Sequence, residues 1–193
     1  MRAAAERRRT ALTAGIRHEL PTDAAAVAEL HLAAFGEHGA VVNAIVHDLR
    51  PTIAELGGCS FVAVDADDRV VGHVMATMSL LDAPARLMPA PVLSPLAVSP
   101  ERQGDGIGSA LVQRALEHGE AAGWPFVLLE GDPGYYSRLG FVAAGRLGFR
   151  RPSLRIPEAA FQVHRLSSHR PEMTGTVVYA WPFWAHDAVG LRD

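Results

Sequence analysis

Between Leu96 and Leu111 an apolar strand runs through a glycine-punctuated turn straight into an amphipathic helix, and no other segment narrows the choice of fold as much. Gly104, Gly106 and Gly108 allow positive φ and let a ligand reach the main chain without meeting a Cβ. The N–H groups that follow converge at a helix N-terminus, where unpaired donors and the helix dipole favour an anion. The segment therefore demands a sheet for its strand, a core for its helix, and an open end where the two meet.

Three phosphate-binding loops share these ingredients, and spacing separates them. The dinucleotide fingerprint needs glycines at the first, third and sixth positions, but counted from Gly104 the sixth residue is Ser109. A P-loop ends in Gly-Lys-Ser/Thr, and the chain contains no lysine. Gln103-Gly104-Asp105-Gly106-Ile107-Gly108 instead reads Q-x-x-G-x-G after a strand ending Leu96-Ala97-Val98 and a Ser99-Pro100 turn. This pattern resembles the acetyl-CoA pyrophosphate loop of the GNAT N-acetyltransferase superfamily; a plain glycine-rich strand-to-helix turn is the other reading of it.

A second segment strengthens the resemblance. Gly131-Asp132-Pro133-Gly134-Tyr135-Tyr136-Ser137-Arg138-Leu139-Gly140-Phe141 is similar to the GNAT element in which a short helix carries a tyrosine and ends in Leu-Gly-Phe. Its compact Gly-Asp-Pro-x-Tyr-Tyr form resembles one branch of the superfamily. Leu129 stands where many members carry an asparagine, so that cofactor contact is missing. The likeness covers about Ile16 to Phe141 well and the last part of the chain loosely.

The resemblance implies acetyl-CoA as co-substrate. Gln103, Gly104, Asp105, Gly106, Ile107, Gly108 and Ser109 would seat its pyrophosphate. The main chain of Leu96, Ala97 and Val98 would pair with the pantetheine amides and steady the acetyl oxygen. Tyr136, five residues before Phe141, aligns with the family's general acid for the departing thiolate, a phenol of pKa about 10 acting in a dry site; Tyr135 reads as packing. Glu130 reads either as the base that takes the amine proton or as a solvated strand end. Ser94 leaves a second base position empty, and Glu37, His38, His73 and Asp82 are weaker acceptor-side candidates.

Composition removes several other chemistries. Without lysine there is no Schiff base and no pyridoxal-phosphate anchor. Cys59 is the sole cysteine, so no internal disulfide forms, and at the head of an apolar run it reads as a small buried hydrophobe. The nine histidines show no His-Glu-x-x-His and no zinc spacing, so no metal is expected. A net charge of −3 gives no global reason to bind nucleic acid. All 18 basic residues are arginine, and Arg102, Arg138, Arg146, Arg150, Arg151 and Arg155 gather around or after the two motifs, where some could meet the 3′-phosphate of coenzyme A. No run is long and apolar enough for a membrane span. A cytoplasmic protein without membrane or nucleic-acid partners is the expectation.

The elements read in order as a strand at Ile16–Leu20, a helix over Asp23–Phe35 capped by Thr22, a second helix from Val41 to Leu49, and a hairpin of Ser60–Val64 with Arg69–Ser79. A proline-rich loop over Asp82–Pro91 leads to a strand at Val92–Val98, the helix Ile107–Ala122, a strand at Phe126–Glu130 and the tyrosine helix. Strands follow at Phe141–Ala143 and near Phe161–Leu166. This order is that of an α/β (α+β) GNAT fold: a mixed, mostly antiparallel sheet, helices on both faces, splayed at the two strands flanking the cofactor. Pro95 suits interrupted pairing there. Residues 1–14 read as a flexible extension and 15–193 as one domain, with 170–193 as a flap or extra strand.

The resemblance implies acetyl transfer to a primary amine of a small molecule or peptide by direct attack. Other readings are a non-catalytic acyl-CoA sensor, an acyltransferase for a longer acyl group, and an interaction module using Trp181, Phe183 and Trp184. The apolar tail leaves a homodimer open.

Overall fold

The structure, a computed structural model, describes residues 15–190, so the extension expected at 1–14 lies outside the described residues. Among the described residues nine strands form one sheet: β1 Gly15–His18, β2 Cys59–Val64, β3 Val70–Asp82, β4 Leu87–Val98, β5 Phe126–Glu130, β6 Val142–Ala143, β7 Phe149–Arg150, β8 Phe161–Arg165 and β9 Gly175–Val178. The main path runs β1-β2-β3-β4-β5-β8-β6, with every pairing antiparallel except β4–β5 and β7–β9. The helices are α1 Ala24–Phe35, α2 Gly39–Leu56, α3 Ile107–Ala121, α4 Pro133–Tyr136 and α5 Trp181–Ala185. The architecture is the one the resemblance implies.

The core lies on both faces of the sheet. On one face Ile107, Leu111, Val112 and Ala115 of α3 pack on Phe61, Val74, Leu93, Val127 and Leu129. On the other, Ile45, Val46 and Leu49 of α2 pack with Phe126, Leu128, Phe149, Phe161, Val177, Tyr179 and Phe183. The central strands β3, β4 and β5 thus feed both layers through their period-two alternation.

The splay has a definite location. β4 and β5 pair at Val92↔Leu128, so among the described residues the C-terminal part of β4 has β3 on one edge and no strand on the other. Opposite Met75 the β3–β4 register slips across Ser94 and Pro95. Proline cannot donate to the ladder, and the resulting bulge turns both Leu93 and Leu96 toward α3.

Three local expectations are corrected. The 82–91 segment is not a loop: β3 and β4 pair from Asp82↔Leu87 onward, leaving a turn at 83–86. Pro89 and Pro91 are two residues apart, so their missing N–H groups fall on one edge while the intervening residues keep the ladder to β3. The first helix begins at Ala24 rather than Asp23, after a 3-10 turn at Pro21–Asp23, and is not capped by Thr22. Asp23 accepts instead from Leu20 N (2.7 Å) and pairs with Arg17 (2.6 Å). The second helix does not stop at Leu49; it continues through Pro51 to Leu56 and closes on left-handed Gly57, whose N–H reaches the Ile53 carbonyl. In the tail, β9 pairs with Leu80–Asp82 of β3, on the edge that β2 occupies further back.

Candidate active site

The glycine turn forms the mouth of the splay. Gly104 and Gly106 both sit at φ +86°, which L side chains rarely adopt. Gly106 is the N-cap of α3 and no side chain caps that end. The first intrahelical bond runs from Ala110 N to Gly106 O (3.0 Å), so the N–H groups of Ile107, Gly108 and Ser109 have no acceptor in the helix. They open into a cleft of about 540 Å³ lined by Leu96 and Val98 of β4, the 102–109 turn, and Tyr135, Arg138 and Leu139.

Of the residues expected at the cofactor, Leu96, Val98, Gln103, Gly104, Gly106, Ile107, Gly108 and Ser109 line this cleft. Gln103 Nε2 donates to the Val98 carbonyl (3.3 Å), tying the turn back to β4. Ala97 is buried, and its side chain projects from the opposite face. Asp105 does not line the cleft; its carboxylate takes a hydrogen bond from Arg102 Nε (2.9 Å). Of the arginines gathered near the motifs, Arg102 and Arg138 reach this cleft. Arg150 and Arg151 line a second one, of about 510 Å³, with Glu158, Phe149 and Phe161.

The two tyrosines divide differently from the sequence reading. Tyr135, expected to be packing, lines the cleft: its hydroxyl lies 3.4 Å from Ser109 Oγ, and a Cβ on Gly108 would stand 2.7 Å from it. Gly108 leaves room for this close approach of the Tyr135 hydroxyl. Tyr136 lies outside the cleft lining, its ring over Gly131 and edge-on to Phe141 (5.6 Å between centroids). Burial pushes its phenol well above the usual value, so it stays protonated across the neutral range. Neither adjacency nor spacing to Phe141 could tell the two apart, because successive residues of a helix point about 100° apart.

Glu130 ends β5 with its side chain on the face of Phe126 and Leu128, opposite to α3. Burial raises its pKa, while a hydrogen bond from the Gly190 N–H and the nearby Arg155 oppose the rise. Beside it stands Tyr179, 5 % exposed, with a hydroxyl that is buried and has no hydrogen-bond partner among the described residues. Sequence reasoning missed Tyr179 and Gly190, since a backbone donor in a distant tail leaves no side-chain pattern. Cys59 is buried, and burial pushes its thiol up to about 12, which suits packing and not nucleophilic attack. Among the described residues no cluster of His, Cys, Asp or Glu side chains is arranged to hold a metal ion, and no helix is long and apolar enough to cross a membrane.

Comparison with known proteins gives three findings. A family model described as an acetyltransferase (GNAT) domain matches residues 16–144. An uncharacterized N-acetyltransferase of Escherichia coli, YhbS, is 36% identical over 168 residues, which cover 85% of this chain and 95% of the relative. Two solved structures superpose with 32% and 31% identity: the Escherichia coli YhbS protein in complex with CoA (TM-score 0.76, 89% of this chain and 92% of that one) and a GNAT family acetyltransferase from Brucella melitensis in complex with acetyl-CoA (TM-score 0.69, 88% and 97%).

Proposed function

The chain belongs to the GNAT acetyltransferase family, and on that premise we propose that it transfers an acetyl group from acetyl-CoA to the primary amine of a small molecule or peptide. The observation that carries the reading is the uncapped N-terminus of α3, three free N–H donors opening into a cleft beside the unpaired edge of β4. A pyrophosphate satisfies those donors, and Arg102 and Arg138 add positive charge at the rim. The unpaired edge of β4 offers Leu96–Val98 main-chain groups to an extended amide chain. The CoA and acetyl-CoA complexes of the two structural relatives support a coenzyme A ligand.

Acetyl-CoA supplies a thioester, an acetyl group already joined to a good leaving group. The residues must then accept a neutral amine, remove one proton from its nitrogen as the C–N bond forms, and deliver a proton to sulfur as the C–S bond breaks. Glu130 is proposed as the proton acceptor, its raised pKa making it a stronger base than an exposed carboxylate. Tyr136 is proposed as the donor to sulfur; its phenol, held protonated by burial, offers an O–H at any working pH. Tyr135 lies against the helix end and is a cofactor contact in this reading, not the acid.

The test is free-thiol release across a panel of amines, with acetyl-CoA affinity measured separately by calorimetry. Tyr136→Phe should lower kcat by about 10²-fold with little change in acetyl-CoA affinity, and Glu130→Gln should lower kcat/KM with partial rescue at alkaline pH, where the amine is neutral without help. A Tyr136→Phe protein that turns over as fast as the parent removes the acid assignment; binding without thiol release from any amine favours a sensor.

A further inference from the structure

Across β4 from the cofactor cleft runs a buried polar chain that this chemistry does not use. Gly72 faces α3, since a Cβ there would meet Leu111 Cδ1 at 2.8 Å and Ile107 Cγ2 at 2.9 Å. The next residue, His73, therefore projects from the other face, beside its register partner Ala97. His73 and His31 of α1 are both fully buried. Arg50 Nη2 donates to Glu19 Oε1 (2.7 Å), and Ser60 Oγ to Glu19 Oε2 (2.6 Å). His73 Nε2 lies 2.9 Å from Ser60 Oγ, His31 Nε2 lies 3.0 Å from His73 Nδ1, and His31 Nδ1 lies 2.7 Å from Asn43 Oδ1.

Both ends of this chain fix the direction of donation. Asn43 gives an amide N–H to the Ala28 carbonyl (3.0 Å), so it turns its oxygen to His31, and His31 Nδ1 must carry a proton. Burial works against ionisation of Glu19, but the His73 ring at 3.6 Å and hydrogen bonds from Arg50 and Ser60 outweigh it and hold the carboxyl at about 2. The Ser60 hydroxyl then donates to a carboxylate and presents lone pairs to His73, whose Nε2 must carry a proton. Two neutral rings would have placed both of their protons at the ends. His31 Nε2 and His73 Nδ1 would face each other lone pair to lone pair across 3.0 Å.

We propose that His31 and His73 hold three ring protons between them, and that the extra one makes a cationic clasp positioning α1 and α2 on β3, directly behind the strand that lines the cofactor cleft. Neither ring lines that cleft, so they act through position. Burial first, and then the charge at His73, hold His31 down to about 4. Of the two rings His73 is the one beside the Glu19 carboxylate, its Nε2 3.6 Å from Oε2, and this geometry places the extra proton on His73 Nδ1. The charges facing the pair are Glu19 at the end of β1 and Arg50 on α2; Ser60 on β2, Asn43 on α2 and the Phe35 ring (6.1 Å) complete its surroundings. Raising the pH removes the shared proton, and the two lone pairs then repel.

The decisive measurement is long-range nitrogen–proton NMR on the full chain with 15N-labelled histidine, assigned through His31→Gln and His73→Gln. At about pH 8, where solvent-exposed histidines are neutral, one imidazolium should remain, with Nδ1 and Nε2 of His73 both protonated alongside Nδ1 of His31. Its loss at higher pH should accompany a fall in melting temperature of roughly 2–4 °C, the scale of one charge-assisted contact in a chain of this size, and His73→Gln should abolish that fall. The accompanying loss of turnover at alkaline pH rests on the acetyl-transfer reading, but the spectrum and the melting curve do not. A pair with only two ring protons at pH 8 overturns the clasp whatever the activity. If the variants do not fold, the presence or absence of a single imidazolium in the parent still decides. Three protons in a protein that acetylates no amine leave the clasp standing and count against the transfer reading.

Discussion

At Gly106 the main chain takes φ +86° with open space where a Cβ would go, so the requirement for glycine is conformational and not steric. Gly106→Val should cost about 1–3 kcal/mol of backbone strain. Its larger effect should be on binding, because relaxing that residue re-aims the N–H groups of Ile107, Gly108 and Ser109; acetyl-CoA affinity should fall about tenfold or more, read by calorimetry. Unchanged affinity would detach the turn from the cofactor. Tyr179 poses the opposite case. Its hydroxyl is buried beside Glu130 without a partner among the described residues, and an unpaired buried donor destabilises. Tyr179→Phe should leave stability unchanged or raise it by about 1 kcal/mol in urea denaturation; a clear loss would mean that the hydroxyl has a partner in solution. Residues of the glycine turn were legible in the sequence because a turn of positive φ at a helix start leaves a spacing of glycines. Tyr179 and the Gly190 N–H were not, because they meet Glu130 only after the tail has crossed the sheet.

Among the elements, α2 shows why proline is an unreliable stop signal. Read alone, Pro51 argues for an end at Leu49, but the helix carries on to Leu56 because Ile45, Val46 and Leu49 are seated in the core and Ile53 packs against it. The carbonyl of His47, four residues earlier, loses its helical donor, and Pro51 itself is exposed. Pro51→Ala restores that donor, offset in part by the greater freedom of the unfolded chain, and should stabilise by about 1 kcal/mol in thermal denaturation. A destabilised variant would show that the proline angle is needed to seat the helix. The same tertiary override hid the ends of β3 and β4, where prolines at 89 and 91 read as loop although their neighbours complete the ladder. Strands β7 and β9 were harder still. Phe149↔Gly175 and Arg150↔Thr176 join two short pieces, and although the tail reads as a flap or extra strand, only the assembled sheet defines the pairing.

Taken as one molecule, the sheet carries the uncapped end of α3 on one face and the buried chain of Glu19, Ser60, His73 and His31 on the other, and the buried titratable groups should govern the response to acid. His31 is held down to about 4 by burial and by His73, against an ordinary value of 6.5. A base depressed in the folded state contributes stability that is complete above its unfolded pKa and is lost as the pH falls, so this contribution declines between about 6.5 and about 4. Burial shifts His118, His164 and His169 in the same direction. Glu19 is held at about 2 against 4.5. Its stabilisation is complete above 4.5 and fades toward 2, and with a side chain only 5 % exposed it amounts to roughly 2–3 kcal/mol. The two windows adjoin, so unfolding free energy measured in urea should decrease continuously from pH 6.5 downward instead of holding a plateau to pH 4.5. Glu19→Gln should remove the lower part of that dependence and leave the upper part. A stability that stays flat between pH 6.5 and 4.5 would mean that His31 takes up a second proton without cost, and that the buried chain of Glu19, Ser60, His73 and His31 is open to water.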